Sequence, residues 1–487
     1  MRTLATLVAS LLLIGCPGET PSECSAVTAH ALWTLEDEAL LGVSPPDEDG
    51  NVGIALADLM GDEALEIVSV SPTGRSVILD TDGAILDELP DASGVAAGDL
   101  DGDGDDDLVL TRRSGLSDLL LWNEGGTFEE EALTDSLGEA TSSSLADIDG
   151  DGDLDLFISG YAALLEPEAI ADGTLIGEGN RLYRNDDGQF EPLPLPTEVI
   201  DDLTFMGAWL DYDQDGALDL YLANDYGPWL GKNRMLNNDG TGNLTIDDDC
   251  SCDLEMFAMS AAVGNANGDE FPDLYLGDLA GPNLLLGEGG TFLDATFASG
   301  ADVPNSPDQF AGWGAMFADI DANGWQDLAM TYGPLFADGE TEDLSELGRG
   351  DLVDSQAQKD VLLCNQEGQF VNDSEAMGFG DPGKGRALVT GDLDRDGRPE
   401  VVVGGLWSIT AWTFDGGCPG STIRLPSGEV SATLQFDDQK RWHFPASTWS
   451  SSAPEFHVPR GVEVTLTWTD GTELEHLLET PWISFEP

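Results

Sequence analysis

A chain of 487 residues with 18 Lys and Arg against 94 Asp and Glu has a formal net charge of −76, which argues against a nucleic-acid partner. Its 41% hydrophobic content and 12 Trp exclude an acidic disordered chain, so the acid belongs to a packed structure. Self-repulsion at this charge opposes compactness unless cations neutralise part of it.

Residues 1–15 read as a secretory signal, with Arg2 as a positive start, Leu4 to Ile14 as a short apolar run and Gly15 as a small residue before Cys16. That run is too short to span a bilayer. Leu13-Ile14-Gly15-Cys16 resembles a bacterial lipobox, which implies cleavage before Cys16, lipidation of its thiol and an exported protein, periplasmic or surface-exposed, held to the membrane by its lipid alone. The alternative is an ordinary cleaved signal with a cysteine nearby. Residues 16–30 then form a lipidated leader or linker. Five further cysteines remain, Cys24, Cys250, Cys252, Cys364 and Cys418, an odd number for an exported chain. Cys250 and Cys252 stand too close for an unstrained bridge to each other, so each is expected to staple a loop to a distant cysteine.

One element recurs seven times between residues 31 and 417. Its fullest copies place Asp at alternate positions: Asp99, Asp101, Asp103, Asp105 and Asp107; Asp147, Asp149, Asp151, Asp153 and Asp155; Asp211, Asp213, Asp215 and Asp219. Three more keep the oxygen pattern as Asn265, Asn267, Asp269 and Asp273; Asp319, Asp321, Asn323 and Asp327; Asp392, Asp394, Asp396 and Glu400. The earliest copy keeps Asp58, Asp62 and Glu66 but has Met60 at the second ligand position, so a weak or empty site is expected there. First ligands are spaced by 41, 48, 64, 54, 54 and 73 residues, a unit of about forty residues stretched by insertions, which suits a four-stranded propeller blade. Small-residue runs such as Gly94 to Gly98 precede the loops, and apolar runs such as Leu108 to Leu110 follow them. Hairpins follow at Arg181 to Phe190 and Val361 to Phe370.

Four short strands are too few to stand alone, so neighbouring units must pack face to face. The fold expected is all-β: a seven-bladed propeller over 31–417 and a small β-rich domain over 418–487. A linear stack is the alternative, but a ring protects its edges better. The segment Ala31 to Leu41 is expected to lend an outer strand to the last blade. Insertions at Tyr161 to Gly179 and Gly333 to Lys359 are expected to project as long loops suited to partner contacts.

Oxygen side chains at loop positions 1, 3, 5 and 9, with a backbone carbonyl at position 7, can wrap a hard cation that takes six to eight oxygens. The position-7 carbonyls belong to Asp105, Asp153, Ala217, Phe271, Trp325 and Arg398. Gly104, Gly152 and Gly216 at position 6 permit a sharp turn. An EF-hand would need a Glu at position 12 and flanking helices, whereas here the last carboxylate is at 9 and the flanks read as strands. About six Ca2+ sites are expected, with magnesium disfavoured because it keeps its waters.

Met206 to Asp211 running into Leu218 to Tyr221, Gly312-Trp313-Gly314 ahead of Asp319, and Gly391 to Gly397 resemble FG-GAP/VCBS-repeat, integrin-like propellers, and more narrowly the cartilage-acidic-protein-like group with a C-terminal ASPIC/UnbV segment. Residues 418–487 resemble a degenerate form of that segment, with Glu455 to Pro459 in place of its glycine-rich phrase. The resemblance implies calcium-dependent recognition of an unknown protein or glycan ligand by a binding, adhesion or scaffold module. No G-x-S-x-G elbow, no H-E-x-x-H helix and no catalytic residue is apparent, so an enzyme is not expected. The alternative is a propeller-based polysaccharide-processing enzyme or an accessory subunit of an envelope enzyme, since carboxylate pairs abound.

Overall fold

The apolar runs flanking each Asp-rich loop are strands, and each second strand is buried along its whole length, as in Asp107–Thr111 and Asp219–Asn224. Burial on both faces requires a neighbour on each side, and the chain supplies it by repetition. The computed structural model describes residues 27–35 and 53–484, apart from 73, 163–173, 176, 280, 304–310, 335–357, 381–384, 406–407, 426–431, 437–438, 444–449, 452–454 and 469–471.

Seven antiparallel blades carry the repeats, and the strands of the first six run in sequence order from inner to outer. Blades 1 to 6 begin with the inner strands Gly53–Ala57, Gly94–Gly98, Ala140–Ala146, Thr204–Leu210, Ala258–Gly264 and Gly312–Ala318. Blade 7 is Gly385–Gly391, Glu400–Gly405 and Ile409–Asp415, completed by Thr28–Leu35 from the start of the described chain. Each inner strand lies against the next, and Gly385–Gly391 returns to Gly53–Ala57, so the ring closes. Close approach explains the small residues there: a Cβ on Gly53 would stand 2.8 Å from the Gly94 Cα, and one on Gly94 2.6 Å from the Thr141 carbonyl oxygen.

The strand expected from Ala31 to Leu41 is observed at Thr28–Leu35, antiparallel to Ile409–Asp415. The ring therefore begins three residues earlier than expected, within the segment assigned to the leader, and Val27 and Ala29 join the core of blades 6 and 7. The signal, Cys16 and Cys24 lie outside the described residues, as do the central parts of both insertions. The hairpins at Arg181–Arg184 with Glu191–Leu193, and at Val361–Gln366 with Gln369–Asn372, form as expected. Their turns use left-handed pairs, Asp187 with Gly188 and Glu367 with Gly368.

Residues beyond Cys418 build a second β unit from two sheets. One pairs Gly420–Arg424 with Glu455–Pro459 and Trp482–Ser484. The other orders Gln439–His443, Ala432–Phe436, Glu463–Trp468 and Glu473–Leu477. Leu434, Phe436, Phe456, Val464 and Leu466 fill the space between them. A short strand of this unit, Ser450–Ser451, pairs in parallel with Gly53–Ala57 and lies beside the inner strands of blades 2 and 7. The boundary expected at 417/418 is thus crossed.

The cysteine reading needs correction. Cys250 and Cys252 are bridged to each other, with Cα atoms 5.3 Å apart, within the ordinary span for a disulfide. The intervening Ser251 takes a left-handed φ of 60°, which turns the two side chains to the same side. Cys364 and Cys418 are also disulfide-bonded, and no described cysteine is free.

Candidate metal sites

Each Asp-rich loop joins the inner strand of a blade to its second strand, so all seven lie on one face of the ring. The position-1 carboxylate organises the turn. Asp99 accepts the N–H groups of Gly102 (2.8 Å), Asp103 (3.2 Å) and Gly104 (3.1 Å), and Asp147 does the same with Gly150, Asp151 and Gly152. Three N–H groups can converge only if the chain turns left-handed at positions 4 and 6. Gly102 and Gly104 have φ of 74° and 96°, and even non-glycine residues at position 4 comply: Gln214 (61°), Ala322 (54°) and Arg395 (61°).

The position-9 carboxylate anchors the loop from below. Asp107 accepts Leu100 N–H (3.0 Å) and Asn123 N–H (2.7 Å), and Asp155 accepts Ile148 and Asn185 N–H (both 2.8 Å). Burial pushes these acids up: Asp107 and Asp155 to about 7, Asp219 to about 8 and Glu400 to about 9. Asp211, at position 1 of blade 4, is raised to about 6 by the same cause.

The structure brings positions 1, 3 and 9 together in five loops, with one oxygen from each residue inside 4.8 Å of the others. These sets are Asp99, Asp101, Asp107; Asp147, Asp149, Asp155; Asp211, Asp213, Asp219; Asp319, Asp321, Asp327; and Asp392, Asp394, Glu400. The position-5 acids Asp103, Asp151, Asp215 and Asp396 stand outside those sets and instead accept the N–H two residues on, Asp103 from Asp105 at 2.9 Å. At position 7, Asp105 and Asp153 accept Gly125 and Asp187 N–H from the hairpin turn of their own blade. Ala217, Phe271 and Trp325 there have side chains without an oxygen, and Arg398 spends its guanidinium on Asp396 (2.8 Å). Blade 5 differs because amides replace acids. Asn265 Nδ2 donates to the Asp269 carbonyl (2.7 Å) and Asn267 Nδ2 to the Asp269 carboxylate (2.7 Å), so that loop is closed by its own hydrogen bonds. Asn323 Nδ2 likewise donates to Asp321 (3.2 Å). In blade 1, Asp58 still caps Gly61, Asp62 and Glu63, and Glu66 is raised to about 7 by burial.

The donor set fits a hard cation. All three groups in each cluster are carboxylates, and Asp149 Oδ1 and Asp211 Oδ1 are buried oxygens with no hydrogen-bond donor. Such clusters can hold metal ions.

An asparagine ladder, not anticipated from the sequence, ties the loops of blades 1, 2, 3 and 5 to the next blade. Asn123 Nδ2 donates to the Leu59 carbonyl, Asn185 to Leu100, Asn238 to Ile148 and Asn365 to Ala266, at 3.0, 2.7, 2.8 and 2.8 Å. In every case the donor stands at the end of the third strand or just past it, and the acceptor is position 2 of the preceding blade's loop. The recurring Asn in Arg184-Asn185 and Cys364-Asn365 was the available signal.

The C-terminal unit covers part of this loop face. Arg441, 4% exposed, sets a guanidinium nitrogen 3.4 Å from Asp319 Oδ2 and donates to the Gly324 carbonyl at 2.9 Å. Thr422 donates to Asp392 Oδ2 (2.6 Å), Asp392 N–H donates to Glu455 (2.8 Å), and Asn265 Nδ2 donates to the Lys440 carbonyl (2.6 Å). Burial holds His457, beside Thr422, down at about 4. Positions 4 to 6 of the loops in blades 2, 3 and 4 remain exposed, whereas those of blade 6 are buried.

At the opposite ends of the second strands lies an aromatic cluster. Tyr161, Phe205 and Trp313 pack edge to face, Arg386 sits 4.1 Å from the Trp313 ring, and the Tyr161 hydroxyl donates to buried Asp225 at 2.6 Å. Both insertions leave the ring from this side, after Asp155–Gly160 and Asp327–Tyr332.

Residues 99–158, covering the second and third loops, match the FG-GAP-like repeat. No curated protein sequence matches the chain. Among solved structures, that of BBS1N in complex with ARL6DN, soaked with lead, has a TM-score of 0.49 at 10% identity, covering 79% of this chain and 97% of that one. YCF48 bound to D1 peptide has a TM-score of 0.41 at 10% identity, over 80% and 95%. The V. cholerae biofilm matrix protein Bap1 has a TM-score of 0.35 at 13% identity, over 93% and 76%.

Proposed function

From a seven-bladed ring that carries an FG-GAP-like repeat, we propose a calcium-binding module that recognises a protein or glycan ligand at the cell envelope and acts by adhesion or scaffolding, not by catalysis. The observation that carries it is the recurrence, in five loops, of three carboxylate oxygens inside 4.8 Å, two of the loops holding an orphaned buried oxygen. Calcium suits all-oxygen donors in a loop that leaves room for water, and it would stiffen the loop face. The ligand surface is placed on the other side of the ring, where both insertions and the aromatic cluster lie. Export and tethering through Cys16 follow from the signal and lipobox resemblance at the start of the chain. The C-terminal unit is read as the degenerate ASPIC/UnbV segment.

The test is a glycan and envelope-protein binding array, run with calcium and with EDTA. Saturable, calcium-dependent binding without turnover is expected; turnover of a polysaccharide would overturn the reading. Globomycin treatment of the expressing cells should leave an unprocessed precursor, and normal processing would remove the lipid anchor from the proposal.

A further inference from the structure

Three acids of the blade-6 loop, Asp319, Asp321 and Asp327, are all buried and bring oxygens inside 4.8 Å of one another. Three buried carboxylates stay together only where a cation sits among them or where some of them hold protons, because each unpaired buried charge costs several kcal/mol by order of magnitude. In blades 2 to 4 the loop tips face water, through which a cation can enter. In blade 6 the C-terminal unit closes that route. Cys418 N–H donates to the Asp321 carbonyl (2.8 Å), and Arg441 lies over the loop with its guanidinium 3.4 Å from Asp319 and bonded to the Gly324 carbonyl. The guanidinium is itself held from outside, donating to the His457 carbonyl and lying 5.0 Å from the Phe436 ring.

We propose that Arg441 is a tethered replacement for the metal ion at blade 6, so that the docked C-terminal unit, and not calcium, neutralises that loop. This rests on the calcium reading of the open loops. It divides the loop face into exchangeable cation sites in the open loops of blades 2 to 4 and a covered site at blade 6, where the chain supplies its own positive charge. Arginine suits the task because its fork can serve a carboxylate and a carbonyl together and stays charged when buried.

The experiment is calcium stoichiometry of the full chain, measured by calorimetry with calcium chloride and by elemental analysis after gel filtration. Asp147→Asn, in an open loop, should lose one calcium per chain. Asp319→Asn should lose none, and Arg441→Met should gain one. Should Arg441→Met fail to fold, Asp319→Asn decides. Loss of one calcium in Asp319→Asn, or no gain in a folded Arg441→Met, overturns the proposal while leaving the calcium reading intact. An unmodified chain that binds no calcium overturns both.

Discussion

Stripping divalent cations at pH 8 should lower the melting temperature by about 10 °C. The open loops of blades 2, 3 and 4 each gather three carboxylate oxygens inside 4.8 Å. At that separation each pair repels by about 1 kcal/mol in water and by about 3 kcal/mol at the effective dielectric of a protein surface. A cation that binds only the folded state at a hundredfold excess over its dissociation constant contributes about 2.7 kcal/mol per site, or about 8 kcal/mol for three. An unfolding entropy of about 2.1 cal/mol/K per residue, over roughly 400 residues, converts this to about 10 °C. Scanning calorimetry with excess calcium, with EDTA, and with calcium restored reads the shift and its reversal. A melting curve that moves by less than about 1 °C would show that the turns hold themselves together through the Asp99-type and Asp107-type hydrogen bonds alone, and the cation argument would fail.

Without calcium, stability should fall as pH rises. The anchoring acids Asp107, Asp155 and Asp219 have folded values raised from 3.8 to about 7, 7 and 8, so their contribution is complete below about pH 4 and is lost as pH climbs through 7 to 8. Melting in EDTA between about pH 5.5 and pH 8.5 should show this decline, calcium should oppose it, and a flat or rising EDTA profile would refute the raised values. Asn185→Ala strands the Leu100 and Leu154 carbonyls, which Asn185 serves at 2.7 and 3.1 Å, and should cost about 2–4 kcal/mol in urea unfolding at unchanged calcium stoichiometry. Deleting residues 27–35 exposes an edge of blade 7 and takes Val27 and Ala29 out of the core, so limited proteolysis should become rapid; unchanged resistance would show that the ring closes without this strand.

Local chemistry was legible along the chain. Acid and glycine at fixed offsets specify a turn whose carboxylates cap their own N–H groups within five residues, as Asp99 does for Gly102 to Gly104, and such short-range demands repeat visibly. Blade count, strand flanks, hairpins and the borrowed outer strand followed, because each repeat must bury two faces and a ring must close. Left-handed backbone at Gln214, Ala322 and Arg395 was hidden, since side chains there gave no hint of a glycine-like turn. The bridge between Cys250 and Cys252 was misread because the φ of one intervening serine decides whether so short a span can close.

What the amino-acid order determined by itself was the repeating unit: its strands, its acidic turn and the count of seven. Only the tertiary structure decided which acids meet, which loops stay open and where the C-terminal unit sits. Arg441 reaches Asp319 across 122 residues, and Asn365 reaches Ala266 across 99. The Arg441 contact leaves no periodic trace, and the recurring asparagine does not name its acceptor, because both are set by how finished blades pack and not by the reach of the neighbouring backbone.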